Sequence, residues 1–252
     1  MIGYNINDYE RPSVAVDSVV FSIKSVEGET FRDDATLKLA VLLIKRGEEP
    51  FKSKYALPGG FLRPNETIEN ALARELHEET GITNASLIPL ANYSNPGRDP
   101  RGWIISCASM ALIPECAVQT LSSSDAESSD WFEVKYSANG KEEIIILKSD
   151  NEELVLKYSE GKAQPSQMAF DHSQIIYDAY KKLQELTLNI NIVFNLLPEM
   201  FKISEMQAIY ETILNKKETK SNFRRKMMNY IEETGKTTSD EGHRPSQLYK
   251  RR

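Results

Sequence analysis

The sequence predicts an α/β protein in which a larger N-terminal domain of strands and helices is followed by a small basic C-terminal domain. Two observations support this prediction: apolar runs with strand spacing alternate with runs of helical spacing, and charge is divided unevenly between the two ends. The 252 residues suffice for one large or two small domains. A content of 40% hydrophobic and 27% charged residues is typical of a globular protein with a buried core.

The uneven charge is concentrated near the C-terminus. Residues 216–252 contain 11 Lys or Arg and 5 Asp or Glu, a net charge of +6, whereas the remainder contains 20 basic and 32 acidic residues, a net charge of −12. A basic segment of this kind favours a polyanionic partner. The acidic remainder would repel a phosphorylated ligand unless a cation lay between them.

The predicted elements of the first domain begin with strands. Apolar, β-branched runs predict strands at residues 14–24, 37–46, 85–91, 103–113 and 131–135. The polar residues 122–130 are predicted to form a loop, and two short apolar runs within residues 141–161 indicate a hairpin inside an insert of about 136–167. Apolar positions at helical spacing predict a helix over residues 173–186, and residues 189–195 are the expected junction. We therefore divide the chain into domains 1–190 and 191–252.

Neither a membrane span nor a signal peptide is predicted, because no apolar run is long enough and the N-terminus lacks basic and apolar blocks. A cytoplasmic location is therefore expected. Cys107 and Cys116 lack the spacing of metal or redox pairs, and we predict buried thiols.

An acidic helix is the most informative element. Asn65 and Glu66 precede an apolar-periodic run that Gly81 would end, which predicts a helix over residues 67–80. On a wheel of about 100° per residue, three glutamates project to the side that carries the apolar residues. These are Glu75, Glu78 and Glu79.

This placement favours a metal site over a solvated run of charge. A solvated run would lie opposite the apolar stripe, where Asn70 and His77 lie, whereas three carboxylates at the edge of a core repel one another unless a cation neutralises them. Mg²⁺ prefers carboxylate oxygens and keeps positions for phosphate oxygens. The neighbouring Arg74 could orient Glu66 or Glu75 by a bidentate contact.

The same segment resembles the Nudix hydrolases. Gly60, five residues, Glu66, seven residues and then RELHEETGI at 74–82 reproduce the Nudix box, G-x5-E-x7-R-E-U-x-E-E-x-G-U with U apolar, without a departure. The resemblance implies an α/β/α sandwich with a mixed sheet, and hydrolysis of a nucleoside diphosphate linked to a further group. It also implies Mg²⁺ or Mn²⁺ bound by Glu75, Glu78 and Glu79, joined by a backbone carbonyl at Gly59 or Gly60.

Catalytic roles are expected for Glu78, Glu75, Arg74 and Glu66, since cleavage of a diphosphate by water needs charge neutralisation, an activated water and in-line placement. Many Nudix enzymes take one more carboxylate from a loop outside the box. Asp125 and Glu127 are the candidates here, and a polar surface loop is the alternative.

Substrate-binding residues are predicted before and after the box. The segment RDPRGWIIS, with Arg98, Asp99 and Arg101, resembles the RDPRG-x-x-x-S segment of a Nudix subgroup that binds ADP-ribose or related sugar phosphates. A turn with solvated arginines is the alternative. Residues 45–66, which precede and enter the box, resemble the same segment of that subgroup, and Arg46 within them is a predicted substrate-binding residue. His172 is predicted to be structural and hydrogen-bonded, and the insert departs from the subgroup's compact form.

The basic C-terminal segment has the outline of a winged helix-turn-helix. Apolar residues at helical spacing predict a helix over 203–214, and a second helix is predicted to begin at Ser221 and run through SNFRRKMMNYIEE, with two strand-like pieces after it. The residues expected to contact DNA are Asn222, Arg224, Arg225 and Lys226 in the second helix and Lys236, His243 and Arg244 in the wing. A basic helical hairpin that only packs or dimerises is the alternative.

Three segments of the tail, FNLLPEMFKISEMQAIYETILN, SNFRRKM and HRPSQLYK, resemble the C-terminal domain of Nudix-related transcriptional regulators. That family pairs a Nudix ligand-sensing domain with a winged helix and acts as a dimer. The resemblance implies a homodimer that binds a double-stranded DNA operator, senses a metabolite such as ADP-ribose or a sugar nucleotide, and retains a hydrolytic site. The alternative is a metabolic Mg²⁺-dependent pyrophosphohydrolase whose basic tail is accessory or used for dimerisation.

Overall fold

The computed structural model describes residues 5–26, 36–83, 85–114, 126–238 and 245–252. A 3-10 turn at Ile6–Asp8 precedes the strands and helices, which follow in chain order. They are β1 (Ser13–Val26), β2 (Thr36–Arg46), β3 (Tyr55–Ala56), β4 (Gly59–Phe61), α1 (Ile68–Thr80), β5 (Ser86–Tyr93), β6 (Ile104–Leu112), β7 (Ala126–Asn139), β8 (Glu142–Lys148), β9 (Glu153–Ser159), β10 (Lys162–Ala163), α2 (His172–Thr187), a 3-10 helix at Ile190–Leu196, α3 (Ile203–Leu214), α4 (Lys220–Met227), β11 (Ile231–Thr237) and β12 (Gln247–Arg251).

The N-terminal part is built on one mixed sheet with the strand order β10-β9-β8-β7-β2-β1-β6-β5, with β3 beside β2 and β4 beside β1. β1 pairs with β6 in parallel and with β2 antiparallel. Residues 16–23 of β1 and 39–44 of β2 are buried without interruption, as expected for strands covered on both faces. These two strands therefore form the centre of the sheet.

Helices cover the two faces of this centre. Val16 and Val20 of β1 lie in the two clusters that include the α1 residues Leu72 and Leu76, while the alternate residue Val19 lies in the large cluster with α2. Successive side chains of a strand point to opposite faces, so α1 and α2 pack on opposite sides of the sheet. This arrangement confirms the predicted α/β sandwich with a mixed sheet.

The predicted loop at residues 122–130 is wrong from Ala126 onward. β7 begins at Ala126, and its polar residues pair in register with β2, Asp130 opposite Leu43 and Ser129 opposite Ile44. The pairing uses backbone groups, which are available whatever the side chain, so the apolar strand β2 imposes the strand. Residues 122–125 lie outside the described residues.

The predicted insert forms the expected hairpin. β8 and β9 pair along their length, from Glu142 opposite Ser159 to Lys148 opposite Glu153, and extend the sheet beyond β7. Ile145 and Leu156 from its buried face join the cluster that contains α2. The insert is therefore part of the same core.

The C-terminal module consists of α3, α4 and the hairpin β11–β12. The first helix has the predicted bounds, but the second is shorter than predicted, because it ends at Met227 with Met228 as its C-cap. Its N-cap is Thr219 rather than Ser221. Ile231 was predicted to continue the helix, but it begins β11 opposite Arg251. Residues from Ile231 onward therefore belong to the hairpin of the wing and not to the helix.

The C-terminal module packs directly on the sheet domain. The hydroxyl of Thr212 donates to the Leu37 carbonyl at 3.3 Å, and that of Tyr180 donates to the Ile213 carbonyl at 3.2 Å. The expected junction is a 3-10 helix with Ile190 and Val193 buried, rather than a loose linker.

Two sequence expectations concern smaller features. No helix within the described ranges is both long and apolar enough to cross a membrane. Cys107 is half-buried rather than fully buried, and burial raises the pKa of its thiol. Cys116 lies outside the described residues.

Candidate functional site

A cavity of about 260 Å³ opens where β1, β2, β4, α1, the loop 94–103 and the start of α2 meet. Acidic residues from α1 form the acidic side of the cavity, which is also lined by arginines from β2 and from the loop 94–103. Of the residues predicted from sequence, the cavity is lined by Arg46, Gly59, Glu75, Glu78, Glu79, Arg98, Asp99 and Arg101. The fold thus brings the two predicted halves of the site together.

The ends of α1 determine which glutamates face the cavity. The Thr67 hydroxyl caps the first turn by accepting from the Asn70 amide at 3.2 Å, and Gly81 ends the helix in the left-handed conformation at φ 74°. Between these ends, Glu79 is buried, the Glu75 side chain is 15% exposed and that of Glu78 is 44% exposed. The predicted trio therefore lines the cavity at graded depth, with Glu78 at its rim.

Arg74 ties this helix to the preceding loop. Its Nε and one terminal nitrogen donate to the two carboxylate oxygens of Glu66 at 2.7 and 2.9 Å, and its other terminal nitrogen contacts Glu75 at 2.5 Å. Hydrogen bonds from Arg74 lower the pKa of Glu66 to about 2. The bidentate contact predicted from sequence is present, and Arg74 bonds both candidates at once.

Two glycines allow β4 to approach the acidic helix closely. The Gly59 amide donates to Glu79 at 2.9 Å. A Cβ added to Gly60 would lie 2.3 Å from a carboxylate oxygen of Glu75, and one added to Gly59 would lie 2.2 Å from the Val16 carbonyl oxygen. Both contacts are far inside van der Waals distance, so a side chain at position 59 would collide with backbone and one at position 60 would displace the Glu75 carboxylate.

The donor set of this side suits a hard divalent cation. Carboxylates of Glu75, Glu78 and Glu79 line the cavity together with Gly59 and Gly60, and oxygen donors of this kind are those that Mg²⁺ prefers. Within the ranges that the structure describes, no three His, Cys, Asp or Glu side chains already converge as a metal site. Oxygens of Glu75 and Glu78 are hydrogen-bonded to Arg74 and Arg63, respectively.

The cavity also contains two guanidinium groups next to aromatic rings. Arg46 lies 5.0 Å from the ring of Phe170, and Arg101 lies 4.9 Å from Phe61 and 5.2 Å from Phe170. Burial, and then the proximity of Arg101, lowers the pKa of Arg46. Arg101 is paired with Asp99 at 2.7 Å, and a further anion such as a phosphate group would reduce the repulsion between the two guanidinium groups.

Arg98 lines the cavity but is held by carboxylates. Its guanidinium, 4% exposed, donates to the two oxygens of Asp171 at 2.6 and 2.9 Å and lies 3.6 Å from Asp17. Asp17 also accepts from the Ser106 hydroxyl. These contacts tie the loop 94–103 to β1 and to the start of α2, so Arg98 supports the wall of the cavity.

His172 completes this buried network. The Leu57 amide donates to its Nδ1 at 2.9 Å, which makes Nδ1 the acceptor and leaves the proton on Nε2, 3.4 Å from Asp17. Burial lowers the pKa of His172. The predicted hydrogen bond of this histidine is confirmed, and its structural role stays a prediction.

Of the three remaining predicted ligand residues, one is buried and hydrogen-bonded, and the side chains of the other two are not described. Asp99 is buried and accepts three hydrogen bonds from the Arg101 side chain, at 2.7 to 3.2 Å. Asp125 lies outside the described residues, and Glu127 lies on β7 with a side chain that is not described. Their roles stay predictions.

Several cavity residues were missed by the sequence reasoning. They are Asp17, Phe61, Arg63 and Phe170. Asp17 is an acidic residue within an apolar strand, which is a signal for a buried polar partner. No comparable sequence signal marks Phe61 or Phe170, because their contacts with Arg101 are made across the fold.

The predicted DNA-binding side chains of α4 are exposed. Phe223 and Met227 face inward, while Asn222, Arg224, Arg225 and Lys226 face outward, as predicted. Two of the basic groups also contact tyrosines: Arg224 donates to the Tyr249 hydroxyl at 3.0 Å, and Lys226 donates to the Tyr210 hydroxyl at 2.6 Å. Lys236 is exposed on β11, and His243 and Arg244 lie outside the described part of the chain.

Two family models match the chain. Residues 30–160 match the NUDIX domain, and residues 193–250 match the NrtR DNA-binding winged helix domain. The first match contains the acidic helix, and the second contains α3, α4 and the hairpin β11–β12 except for its last residue.

Similar proteins cover nearly the whole chain. A curated relative from Acinetobacter baylyi, named "ADPR responsive transcriptional repressor NtrR", is 32% identical over 251 residues, which are 98% of this chain and 85% of the relative. The crystal structure of a MutT/nudix family protein from Enterococcus faecalis matches with a TM-score of 0.80 and 30% identity, over 99% of this chain and 90% of that one. Shewanella oneidensis NrtR complexed with a 27mer DNA matches with a TM-score of 0.64 and 25% identity, over 95% and 93% of the two chains.

Proposed function

This chain belongs to the Nudix family and carries an NrtR-type DNA-binding winged helix domain, and on that premise we propose that it is a transcriptional repressor that responds to ADP-ribose. The observation that carries the proposal is that one chain joins a cavity lined by both carboxylates and guanidinium groups to an exposed basic helix. A relative named as an ADP-ribose-responsive repressor matches across both parts.

In this proposal, Arg46 and Arg101 hold the diphosphate, and the neighbouring rings of Phe61 and Phe170 give the cavity an apolar surface for the nucleoside. Helix α4 would enter the major groove of DNA, and Asn222 and Arg225, both exposed, would contact bases or phosphates. The division into domains 1–190 and 191–252, and a homodimer that binds paired half-sites, stay predictions.

The DNA-binding claim can be tested with labelled DNA from upstream of the protein's own gene. We expect Arg225→Ala to weaken binding about tenfold, ~1.4 kcal/mol, as the loss of one base or phosphate contact would, and binding to weaken as salt rises. Lys157→Ala is the matched control, because it removes an exposed positive charge from β9, outside α4. Equal binding by wild type and Arg225→Ala would contradict the proposed role of α4.

The repressor claim needs a second measurement, in which ADP-ribose is added to the protein–DNA complex. A ligand that binds one of two states better shifts the equilibrium between them, so ADP-ribose should change the DNA dissociation constant. An unchanged constant at saturating ADP-ribose would remove the sensing function and leave a DNA-binding protein.

We also propose that the chain hydrolyses ADP-ribose to AMP and ribose 5-phosphate. Glu75, Glu78 and Glu79 would hold Mg²⁺ or Mn²⁺, and the bound ion would neutralise the diphosphate and lower the pKa of a water. Arg74 and Glu66 keep Glu75 in place, and the Gly59 amide keeps Glu79 in place. The uninterrupted Nudix box supports this activity.

Turnover of ADP-ribose with Mg²⁺ should be abolished in Glu79→Gln, which keeps the size of the side chain but removes its charge. Glu78→Gln should have the same effect. Glu69→Gln is the control, because Glu69 is exposed in the first turn of the same helix. Absence of turnover by the wild-type protein would leave the repressor function without hydrolysis, whereas turnover without DNA binding would favour a metabolic pyrophosphohydrolase.

A further inference from the structure

Arg63 lies in the loop between β4 and α1, at a position that the Nudix box leaves open. One terminal nitrogen of its guanidinium lies 3.2 and 3.4 Å from the two carboxylate oxygens of Glu78, and both residues line the cavity. The backbone of Arg63 is anchored to Glu66, since its amide donates to the Glu66 carboxylate at 3.0 Å and its carbonyl accepts from the Glu66 amide at 3.2 Å. The side chain can therefore move while its base stays in place.

This contact answers an electrostatic problem of the site. A diphosphate that entered the cavity without a metal ion would approach the carboxylate of Glu78, whose side chain is 44% exposed, and like charges repel. Arg74 already bonds both oxygens of Glu66 and one of Glu75, and reaches one oxygen of Glu78 at 3.2 Å. Arg63 supplies the second positive charge at Glu78, and with 59% of its side chain exposed it is free to leave.

We propose that Arg63 is a tethered counter-cation for Glu78, which neutralises this carboxylate in the metal-free protein and competes with a divalent ion for its oxygens. The proposal rests on the proposed function, because it concerns the same cavity and the same metal ligand. In this proposal, the position of Arg63 separates ligand binding without metal from metal-dependent hydrolysis. With Arg63 on Glu78 the cavity accepts an anionic ligand without metal, and with Arg63 displaced the cavity holds the metal that hydrolysis needs.

The expected effects are modest and opposite in sign. Both partners are partly exposed, and such ion pairs contribute little, so removal of the Arg63 charge should change each affinity about two- to fivefold. Mn²⁺ should bind more tightly, because Glu78 no longer has an internal competitor. ADP-ribose in the presence of EDTA should bind more weakly, because Glu78 is then unneutralised.

The test compares full-length wild type, Arg63→Gln, Arg63→Lys and Lys54→Gln. Mn²⁺ affinity is measured from the electron paramagnetic resonance signal of free Mn²⁺, and ADP-ribose affinity is measured by calorimetry in EDTA. Arg63→Lys keeps the charge and should stay close to wild type in both measurements. Lys54→Gln removes a charge that lies over Phe51, outside the Glu78 contact, and should change neither affinity.

Opposite changes in Arg63→Gln, with Arg63→Lys near wild type, support the proposal. Two unchanged affinities, or two that move in the same direction, overturn it, because the second pattern indicates a structural role. Equal changes in Lys54→Gln would also overturn it, since they would reflect net charge alone. A wild-type protein that binds neither Mn²⁺ nor ADP-ribose would instead contradict the proposed function.

Discussion

Two adjacent glycines shape the acidic side of the cavity, and their missing side chains serve different neighbours. The space beside Gly59 is occupied by the Val16 carbonyl oxygen of a buried strand, 2.2 Å from where a Cβ would lie. The space beside Gly60 is occupied by the carboxylate of Glu75, 2.3 Å from where a Cβ would lie. Backbone in the centre of a sheet cannot move aside, whereas a side chain can, so the two positions should respond differently to substitution.

Gly59→Ala should reduce the stability of the fold, by about 1–3 kcal/mol, as other overpacked sites do. Gly60→Ala should reduce stability less but displace Glu75 from Arg74, and it should therefore impair Mn²⁺ binding and hydrolysis. Urea unfolding and Mn²⁺ titration measure the two effects separately. Wild-type metal binding by Gly60→Ala would show that the position of Glu75 is not important for the site.

His172 gives the fold a pH dependence whose sign follows from its environment. Burial lowers the pKa of His172 in the folded protein below the value of about 6.5 that it has when unfolded. As the pH falls below about 6.5, the unfolded state binds the proton first, so the free energy of unfolding should decrease. Protonation of Nδ1 would also break the hydrogen bond from the Leu57 amide.

We expect His172→Asn to be less stable than wild type at pH 7 but to lose less stability between pH 7 and pH 5.5. Urea unfolding at the two pH values measures this difference. His77→Asn is the control, because His77 is exposed on α1, and it should keep the wild-type dependence. An equally steep dependence in His172→Asn would assign the effect to other groups.

Helices and strands with a clear local apolar pattern are predicted from the sequence. Elements that form only by pairing with a neighbouring strand are not. The bounds of α1 and α3 follow from caps and apolar spacing, and the central strands follow from their long apolar runs. The start of β7 is polar and becomes a strand only by pairing with β2. Likewise, the pattern of α4 continues past Met227, but pairing between β11 and β12 ends the helix there.

In the candidate site, too, contacts within one chain segment are predictable from the sequence, and contacts between distant segments are not. The Nudix box places Glu66, Arg74 and Glu75 at offsets along one chain segment, so their proximity is encoded locally. The contact between Arg98 and Asp171 joins residues 73 positions apart, and the pair could not be identified from either segment alone. The motif predicts Arg98 as a ligand residue, which stays a prediction, whereas its contacts with Asp171 and Asp17 depend on the tertiary fold.

Among the contacts that join the insert hairpin to α2 is a hydrogen-bond network around one carboxylate. Glu143 of β8 accepts from the Tyr177 hydroxyl at 2.6 Å, from Lys181 at 2.7 Å and also from the Tyr136 hydroxyl. Hydrogen bonds to a charged group contribute about 1.5–3 kcal/mol, and partly buried donors that lose their acceptor are destabilising. The network therefore fixes the insert against the helix that runs from the cavity to the C-terminal module.

Glu143→Ala should lower the free energy of unfolding by about 2–3 kcal/mol, since three donors lose a shared charged acceptor. Glu142→Ala is the matched control, because Glu142 is an exposed neighbour that accepts from the Ser159 hydroxyl at 2.5 Å, and it should cost less than about 1 kcal/mol. Equal losses in the two variants would show that the network does not anchor the insert.

At the scale of the whole molecule, the two family-matched regions share one hydrophobic core. A single cluster of buried side chains includes Val41 from the sheet, Ile176 and Leu183 from α2, and Ile209 and Ile213 from α3. Interfaces between domains that fold separately are more polar than obligate interfaces, whereas this contact is a continuous apolar cluster. The continuous cluster means that displacement of the C-terminal module exposes apolar surface of both parts.

The shared core predicts a single cooperative unfolding transition of the full chain by calorimetry, in which the calorimetric and van't Hoff enthalpies agree. Ile213→Ala should lower the free energy of unfolding by about 2–5 kcal/mol, because it leaves a cavity at the contact between α3 and α2. The Tm of the entire transition should fall with it. Saturating ADP-ribose should raise the Tm of the same transition, since a ligand that binds only the folded state stabilises everything that unfolds with its site. Two transitions, with Ile213→Ala lowering one and ADP-ribose raising the other, would show that the sheet domain and the winged helix unfold independently. In that case a ligand signal would have to reach DNA through the junction at 189–195 rather than through the packed face of α3.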